Sequence, residues 1–180
     1  MQSSLSIENE PQARQRQNAD IARLARVIRA PGQPAAIFHE VCAIAAEAIG
    51  FRLFTIMAYD SQREEVERVF TNMPEVYPAG GRKKKSGTAW AKRILADLEP
   101  FRATTPEGLR DAFDDHAVMT AMGLGSILNI PIAYDGRCVG TMNLTHEEGW
   151  YTPHDEETGL LLGAFLVPAL VARGLSSASR

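Results

Sequence analysis

SILNIPIAYDGRCVGTMNLTH, residues 126–146, reads as two strands joined at Asp135-Gly136. An Asp-Gly pair between apolar, β-rich runs signals a tight hairpin, because a two-residue turn needs positive φ at both central positions. With such a turn Tyr134 faces Arg137, Ile132 faces Val139 and Ile130 faces Thr141. One face then carries Leu128, Ile130, Ile132, Val139 and Thr141. The other carries Ile127, Asn129, Pro131, Cys138, Met142 and Leu144. Both faces are mostly apolar, so both must be covered. The hairpin is therefore expected at the centre of a sheet, with helices on one side and a ligand chamber on the other. Pro131 has no N–H to give a ladder, so it should sit at an unpaired side or a bulge.

The totals set bounds. The chain has 180 residues, 45% of them apolar, enough for one domain with a core. A formal net charge of −3 gives no reason to expect nucleic acid. Cys42 and Cys138 lie far apart with no CxxC, which argues against a disulfide scaffold or a zinc site and for two reduced, buried thiols. The first residues are polar and lack a signal peptide's apolar region. The longest uncharged run, Thr158 to Ala172, falls short of the roughly 20 residues of a membrane span. The expectation is a cytoplasmic protein with no membrane contact.

Outward from the hairpin, residues 1–10 are expected to be a loose tail and residues 11–34 a helix with a break. The domain proper is residues 35–173, and residues 174–180 are a second tail. Ile21, Leu24, Ala25 and Ile28 make a narrow helical stripe that suits packing against a second copy. Ala35 to Ile49 is a second helix closed by Gly50. Phe51–Tyr59 and Glu65–Thr71 form another hairpin, whose second strand is polar enough to be an edge. A helix is expected over Ser86–Asp97, a short strand at Pro100–Arg102, and a helix capped by Thr105-Pro106 that runs through Phe113 and His116 to Ala121. Thr152, Pro153 and Asp155 open a last helix reaching Arg173, apolar nearly all round and kinked by Pro168. Helices interleaved with antiparallel hairpins give an α+β fold.

That order resembles a GAF domain. NIPIAYDGRCVGTMNLTH resembles the family's penultimate strands, and WYTPHDEETGLLLGAF resembles its closing helix. Ser86-Gly87-Thr88-Ala89-Trp90-Ala91 stands where the family has a Gly-led short helix beside its pocket. The resemblance covers roughly residues 35–172. It implies a GAF-like, profilin-like antiparallel sheet of about six strands. Terminal helices would pack on one face, and a pocket with short helices would lie on the other. It also implies a sensory, ligand-binding role and homodimerisation through the N- and C-terminal helices.

The specialised activities of that family fit less well. Cyclic-nucleotide-binding members carry an Asn-Lys…Phe-x-x-x-Asp-Glu signature. Here Asn143, Tyr151, Asp155 and Glu156 stand in that order, but Leu144 replaces the Lys, and capping alone accounts for the acids. Bilin attachment and free methionine sulfoxide reduction both need a reactive pocket thiol. No cysteine lies between Phe51 and Asn129. Asp114-Asp115-His116 is the densest ligand-type cluster, but consecutive helical residues point apart. No metal, cofactor or catalytic constellation is expected.

One stretch has functional flavour: Tyr77 to Trp90, YPAGGRKKKSGTAW. Glycines allow backbone to approach a ligand, and a basic run meets a helix start. The expected ligand is a small anion. It would be held by Arg82, Lys83, Lys84 and Lys85 with the amides of Ser86, Gly87 and Thr88, between Tyr77 and Trp90. Phe113, His116 and Asn129 complete the candidate set. A solvated basic loop is the competing reading, since charge runs commonly are that. Two other functions stand beside the sensor: an enzyme using Tyr77, Lys83 and His116, and a dimerisation module whose core fills the pocket. No DNA-binding, kinase or cyclase segment is present in these residues, so a signalling partner would read the output.

Overall fold

In this computed structural model residues 10–113 and 116–178 are described. The expected 1–10 tail falls almost wholly outside them. Six antiparallel strands form one sheet in the order β3-β2-β1-β6-β5-β4. The strands are β1 (Leu53–Asp60), β2 (Glu65–Thr71), β3 (Arg82–Lys84), β4 (Phe101–Ala103), β5 (Ser126–Tyr134) and β6 (Arg137–His146). The quoted hairpin, β5–β6, sits inside the sheet between β1 and β4. Asp135 and Gly136 adopt φ of 51° and 67°, as a two-residue turn between right-twisted strands requires.

The register departs from the expected one within a few residues of the turn. Tyr134 pairs with Arg137 and Ala133 with Cys138, but Ile132 then pairs with Gly140, across a bulge that leaves Val139 over. Ile130 consequently faces Met142, not Thr141. A one-residue slip moves every later side chain to the other face. Met142 and Leu144 thus join Leu128, Ile130 and Ile132 in the core under the helices. Thr141, Asn143 and Thr145 turn to the opposite face. Pro131 lies beyond the end of β4, whose pairing with β5 stops at Asn129, so no strand borders its outer side.

One face of the sheet is covered by α2 (Ala35–Ala48), α6 (Pro153–Ala164) and α7 (Val167–Ala178), with α1 (Glu10–Val27) laid on α2. Phe54, Ile56 and Met142 of the sheet pack there against Ile37, Ile44, Leu162 and Leu166. Leu24 of the α1 stripe is fully buried within this one chain, while Ile21 and Ile28 are half-buried. The stripe is therefore partly used internally. Gly50, at φ 88°, ends α2, and its N–H reaches the Ala45 carbonyl. At α6 the Thr152 N–H and hydroxyl both donate to Asp155, at 2.7 and 2.8 Å. The expected last helix is two helices bent by 50°. The break falls at residues 165–166, just before Pro168, whose ring cannot follow a regular turn.

The other face carries α3 (Ala89–Ala91), a π-helical segment (Lys92–Ala96), α4 (Pro106–Ala112) and α5 (His116–Ala121). The helix expected over Ser86–Asp97 starts only at Ala89. Thr88 is its cap, accepting from the Ala91 N–H at 3.0 Å. The helix expected from Pro106 to Ala121 is two helices, and the Asp114-Asp115 pair lies outside the described residues. β2 is not the edge. The basic run forms β3 along it, with Arg82 opposite Glu67 and Lys84 opposite Glu65. Opposite charges across an antiparallel pair favour that register. No single helix among the described residues is long and apolar enough to cross a membrane.

Candidate ligand-binding site

Between the sheet and the short helices lies a cavity of about 90 Å3. Its floor is a run of polar side chains on otherwise apolar strands. Thr55, Thr141, Thr145 and Asn129 are all at least nine-tenths buried. The Asn129 amide donates to Asn143 Oδ1 at 2.7 Å. The Asn143 amide donates to the hydroxyl oxygens of Thr55 and Thr141, each at 3.2 Å. Asn129 Oδ1 in turn accepts from the indole N–H of Trp90 at 2.9 Å. The network therefore ties the roof to the floor. It satisfies the amides and uses the threonine oxygens as acceptors, which leaves their protons able to point at a bound oxygen.

The roof is aromatic and cationic. Trp90 and Phe113 meet edge to face at 6.1 Å. Lys85 Nζ lies 4.9 Å from the Trp90 ring centre and 5.5 Å from that of Phe113, a cation–π arrangement. Lys83 enters from β3, because it pairs with Val66 and so shares that residue's side of the sheet. Arg68 lines the same rim, 5.2 Å from the Tyr77 ring centre and bonded to the Pro78 carbonyl at 3.0 Å. Leu53, Met119 and Ile127 close the far end. Among the described lining residues none is acidic.

Of the candidates named from sequence, Tyr77, Lys83, Lys85, Trp90, Phe113 and Asn129 line this cavity. The others do not. Strand alternation turns Arg82 to the opposite face, where it pairs with Glu67 at 2.7 Å. Glu67 also binds Arg173 of α7. Lys84 is exposed on the edge strand. Ser86, Gly87 and Thr88 border a separate surface groove with Lys92. His116 bonds through Nδ1 to the Phe113 carbonyl at 2.9 Å and is not in the lining. The structure adds Arg68, Thr55, Thr141, Asn143 and Thr145. Their signal in the sequence was polarity: Thr and Asn on strands meant to be covered on both sides need partners there.

The remaining chemistry-bearing groups lie elsewhere. Burial pushes both the Cys42 and Cys138 thiols up to about 11, against the direction a nucleophilic thiolate needs. Asp155 caps α6, and Glu156 pairs with Arg102 at 2.7 Å. Two of the four signature-like positions are thus occupied structurally.

A family model for the GAF domain matches residues 33–171. Among solved structures, the chain resembles the GAF domain of a phosphoenolpyruvate-protein phosphotransferase from Coxiella burnetii. The identity is 16%, the TM-score 0.72, and the match covers 89% of this chain and 95% of that one. The GAF domain of a two-component sensor histidine kinase from Bacillus halodurans matches at 16% identity and TM-score 0.62, over 81% of this chain and 98% of that one. The chromophore-binding domain of a Stigmatella aurantiaca bacteriophytochrome matches at 15% and 0.63, over 86% of this chain and 59% of that one. At these identities the likeness is one of fold. No curated protein matches the chain.

Proposed function

This chain belongs to the GAF domain family, and on that premise we propose that it is a sensory module binding a small organic anion in the cavity beneath Trp90 and Phe113. The observation that carries the reading is the charge of the lining. Arg68, Lys83 and Lys85 border a floor of Thr and Asn. Basic side chains at the rim of a cavity raise the local concentration of anions. The protein acts by binding and not by turnover.

Occupancy would bias the packing of the terminal helices, and a partner signalling protein in the cytoplasm would read it. The active form is a homodimer joined through α1, α6 and α7. Exposed Leu160 and half-buried Ile21 and Ile28 support that choice, as apolar side chains left for a second copy. The test uses two neighbouring charges that face opposite ways. A thermal-shift screen of small organic anions is run on the natural protein, Lys83→Glu and Arg82→Glu. The reading expects stabilisation that Lys83→Glu abolishes and Arg82→Glu preserves. Equal responses from the two variants would refute it.

A further inference from the structure

Of the five polar side chains buried among the described residues, four have hydrogen-bond partners in the chain and one does not. Ser126 donates to the Glu147 carbonyl, Asn129 donates to Asn143, and Thr55 and Thr141 accept from Asn143. Thr145, 2% exposed, makes no side-chain hydrogen bond among the described residues, yet it lines the cavity. The side chains beside it on both strand pairs, Leu53 and Ile127, have no acceptor to give it. A buried hydroxyl without a partner is costly, so the cavity contents supply one. Strand pairing places this hydroxyl relative to the rest of the floor. Thr141, Asn143 and Thr145 alternate along β6, and Thr55 of β1 lies opposite Asn143. Thr55 and Thr141 both accept from the one Asn143 amide nitrogen, each at 3.2 Å, which leaves two hydroxyl protons flanking one point. Two donors side by side suit a group with two acceptor oxygens, a carboxylate. Thr145, two residues beyond Asn143, offers a single donor about 7 Å further along the strand. The 90 Å3 cavity, at about 10–15 Å3 for each water-sized unit, holds about six to nine non-hydrogen atoms.

Resting on the anion reading above, we infer that the cavity takes a short monocarboxylate that carries a second oxygen, a hydroxyl or a carbonyl, on its fourth or fifth carbon. The carboxylate accepts from the hydroxyls of Thr55 and Thr141, which Asn143 positions by donating to both oxygens. The second oxygen accepts from Thr145. An oxygen nearer the carboxylate leaves Thr145 unserved, and a much longer chain exceeds the volume. Thr145 is the residue that separates such ligands from plain alkanoates.

The test is calorimetric titration of the full chain with pentanoate, 5-hydroxypentanoate, 4-oxopentanoate, 2-hydroxypentanoate, glutarate and 1,5-pentanediol. The 5-hydroxy or the 4-oxo acid is expected to bind about fivefold or more tighter than pentanoate, as one added neutral hydrogen bond allows. The 2-hydroxy isomer has the atoms of the 5-hydroxy acid but the oxygen at the wrong end, and should gain nothing. Thr145→Val, a near-isostere, should erase the gain and leave pentanoate binding no weaker. It should also keep the natural Tm or raise it, because the hydroxyl has no bond in the chain to lose, whereas a structural role would lower it. Thr141→Val should weaken every carboxylate about tenfold or more, as losing a hydrogen bond to a charged group does. Equal binding of pentanoate and both oxygenated acids, a 2-hydroxy isomer as tight as the 5-hydroxy acid, or a gain that survives Thr145→Val would overturn the inference; in the last case a water serves the hydroxyl. Glutarate binding tightest would overturn the monocarboxylate class and leave the anion reading standing. Binding of the diol alone, or failure of every anion to bind, would sink both.

Discussion

Replacing Asn129 by Leu isolates the bond that ties the roof of the cavity to its floor. The side chain is 1% exposed, and it links Trp90 above to Asn143 beside it. Leucine is of similar size and strand-compatible, so the backbone has no reason to move. It strands two groups: the Trp90 indole N–H, on a residue 6% exposed, and Asn143 Oδ1. Each buried polar group left without a partner costs about 1–3 kcal/mol. Burying leucine's apolar surface offsets about 1 kcal/mol. The net expectation is a loss of about 1–5 kcal/mol, or about 2–20 °C in Tm for a chain of this length. Urea unfolding followed by far-UV circular dichroism measures it without relying on tryptophan signal. The sharper readout is a double-mutant cycle with Trp90→Phe, which removes the donor. The double variant should be less destabilised than the two singles added, by about 1–3 kcal/mol. Additivity within about 0.5 kcal/mol would refute the bond as the link between roof and floor.

Three further outcomes follow from particular contacts. A Cβ at Gly140 would stand 2.3 Å from the Met57 carbonyl oxygen and 2.7 Å from a Leu170 methyl, so Gly140→Ala should cost about 3 kcal/mol or more by forcing β1 and β6 apart. An unchanged denaturation midpoint would show that the close β1–β6 approach is wrong. Native Cys42 and Cys138 should resist iodoacetamide near pH 8 and react once unfolded, since burial holds both thiols protonated. Intact mass reports the adducts, and rapid native labelling would contradict the placement. His146 stacks on Trp150 at 3.7 Å, and burial lowers its pKa. A histidine with a depressed folded pKa is protonated more readily in the unfolded chain. Stability is therefore full above the ordinary value near 6.5 and lost as pH falls through the folded pKa. His146→Gln should lose less stability than the natural protein between about pH 7 and pH 5, and identical pH slopes would exclude His146 as the cause.

Much of the fold was legible because its signals were local. Asp135-Gly136 marks the turn, Gly50 the end of α2, Thr105-Pro106 and Thr152-Pro153 the starts of α4 and α6. Each of these needs only its own neighbours to act. The site was less legible because it depends on register. The bulge at Val139 is marked only by Gly140 beside it, yet it decides that Thr141, Asn143 and Thr145 face the cavity and that Met142 and Leu144 do not. The basic run on its own suits a loop as well as a strand. Its alternation became meaningful only once Glu65 and Glu67 paired it into a strand, sending Lys83 one way and Arg82 the other. The helix begins later than Ser86 because Thr88, and not Ser86, is the residue whose side chain caps it. One arginine in a polar strand, Arg68, gives no sign of the rim it lines.

The most direct test of the central claim is the mass spectrum of freshly purified protein under native and then denaturing conditions. The account predicts a non-covalent mass lost on denaturation, recovered as a small organic anion, on a species of two subunits. It also predicts that Lys83→Glu purifies without that mass and Arg82→Glu with it. A co-purified cation or neutral compound, or an anion that Lys83→Glu retains, would contradict it.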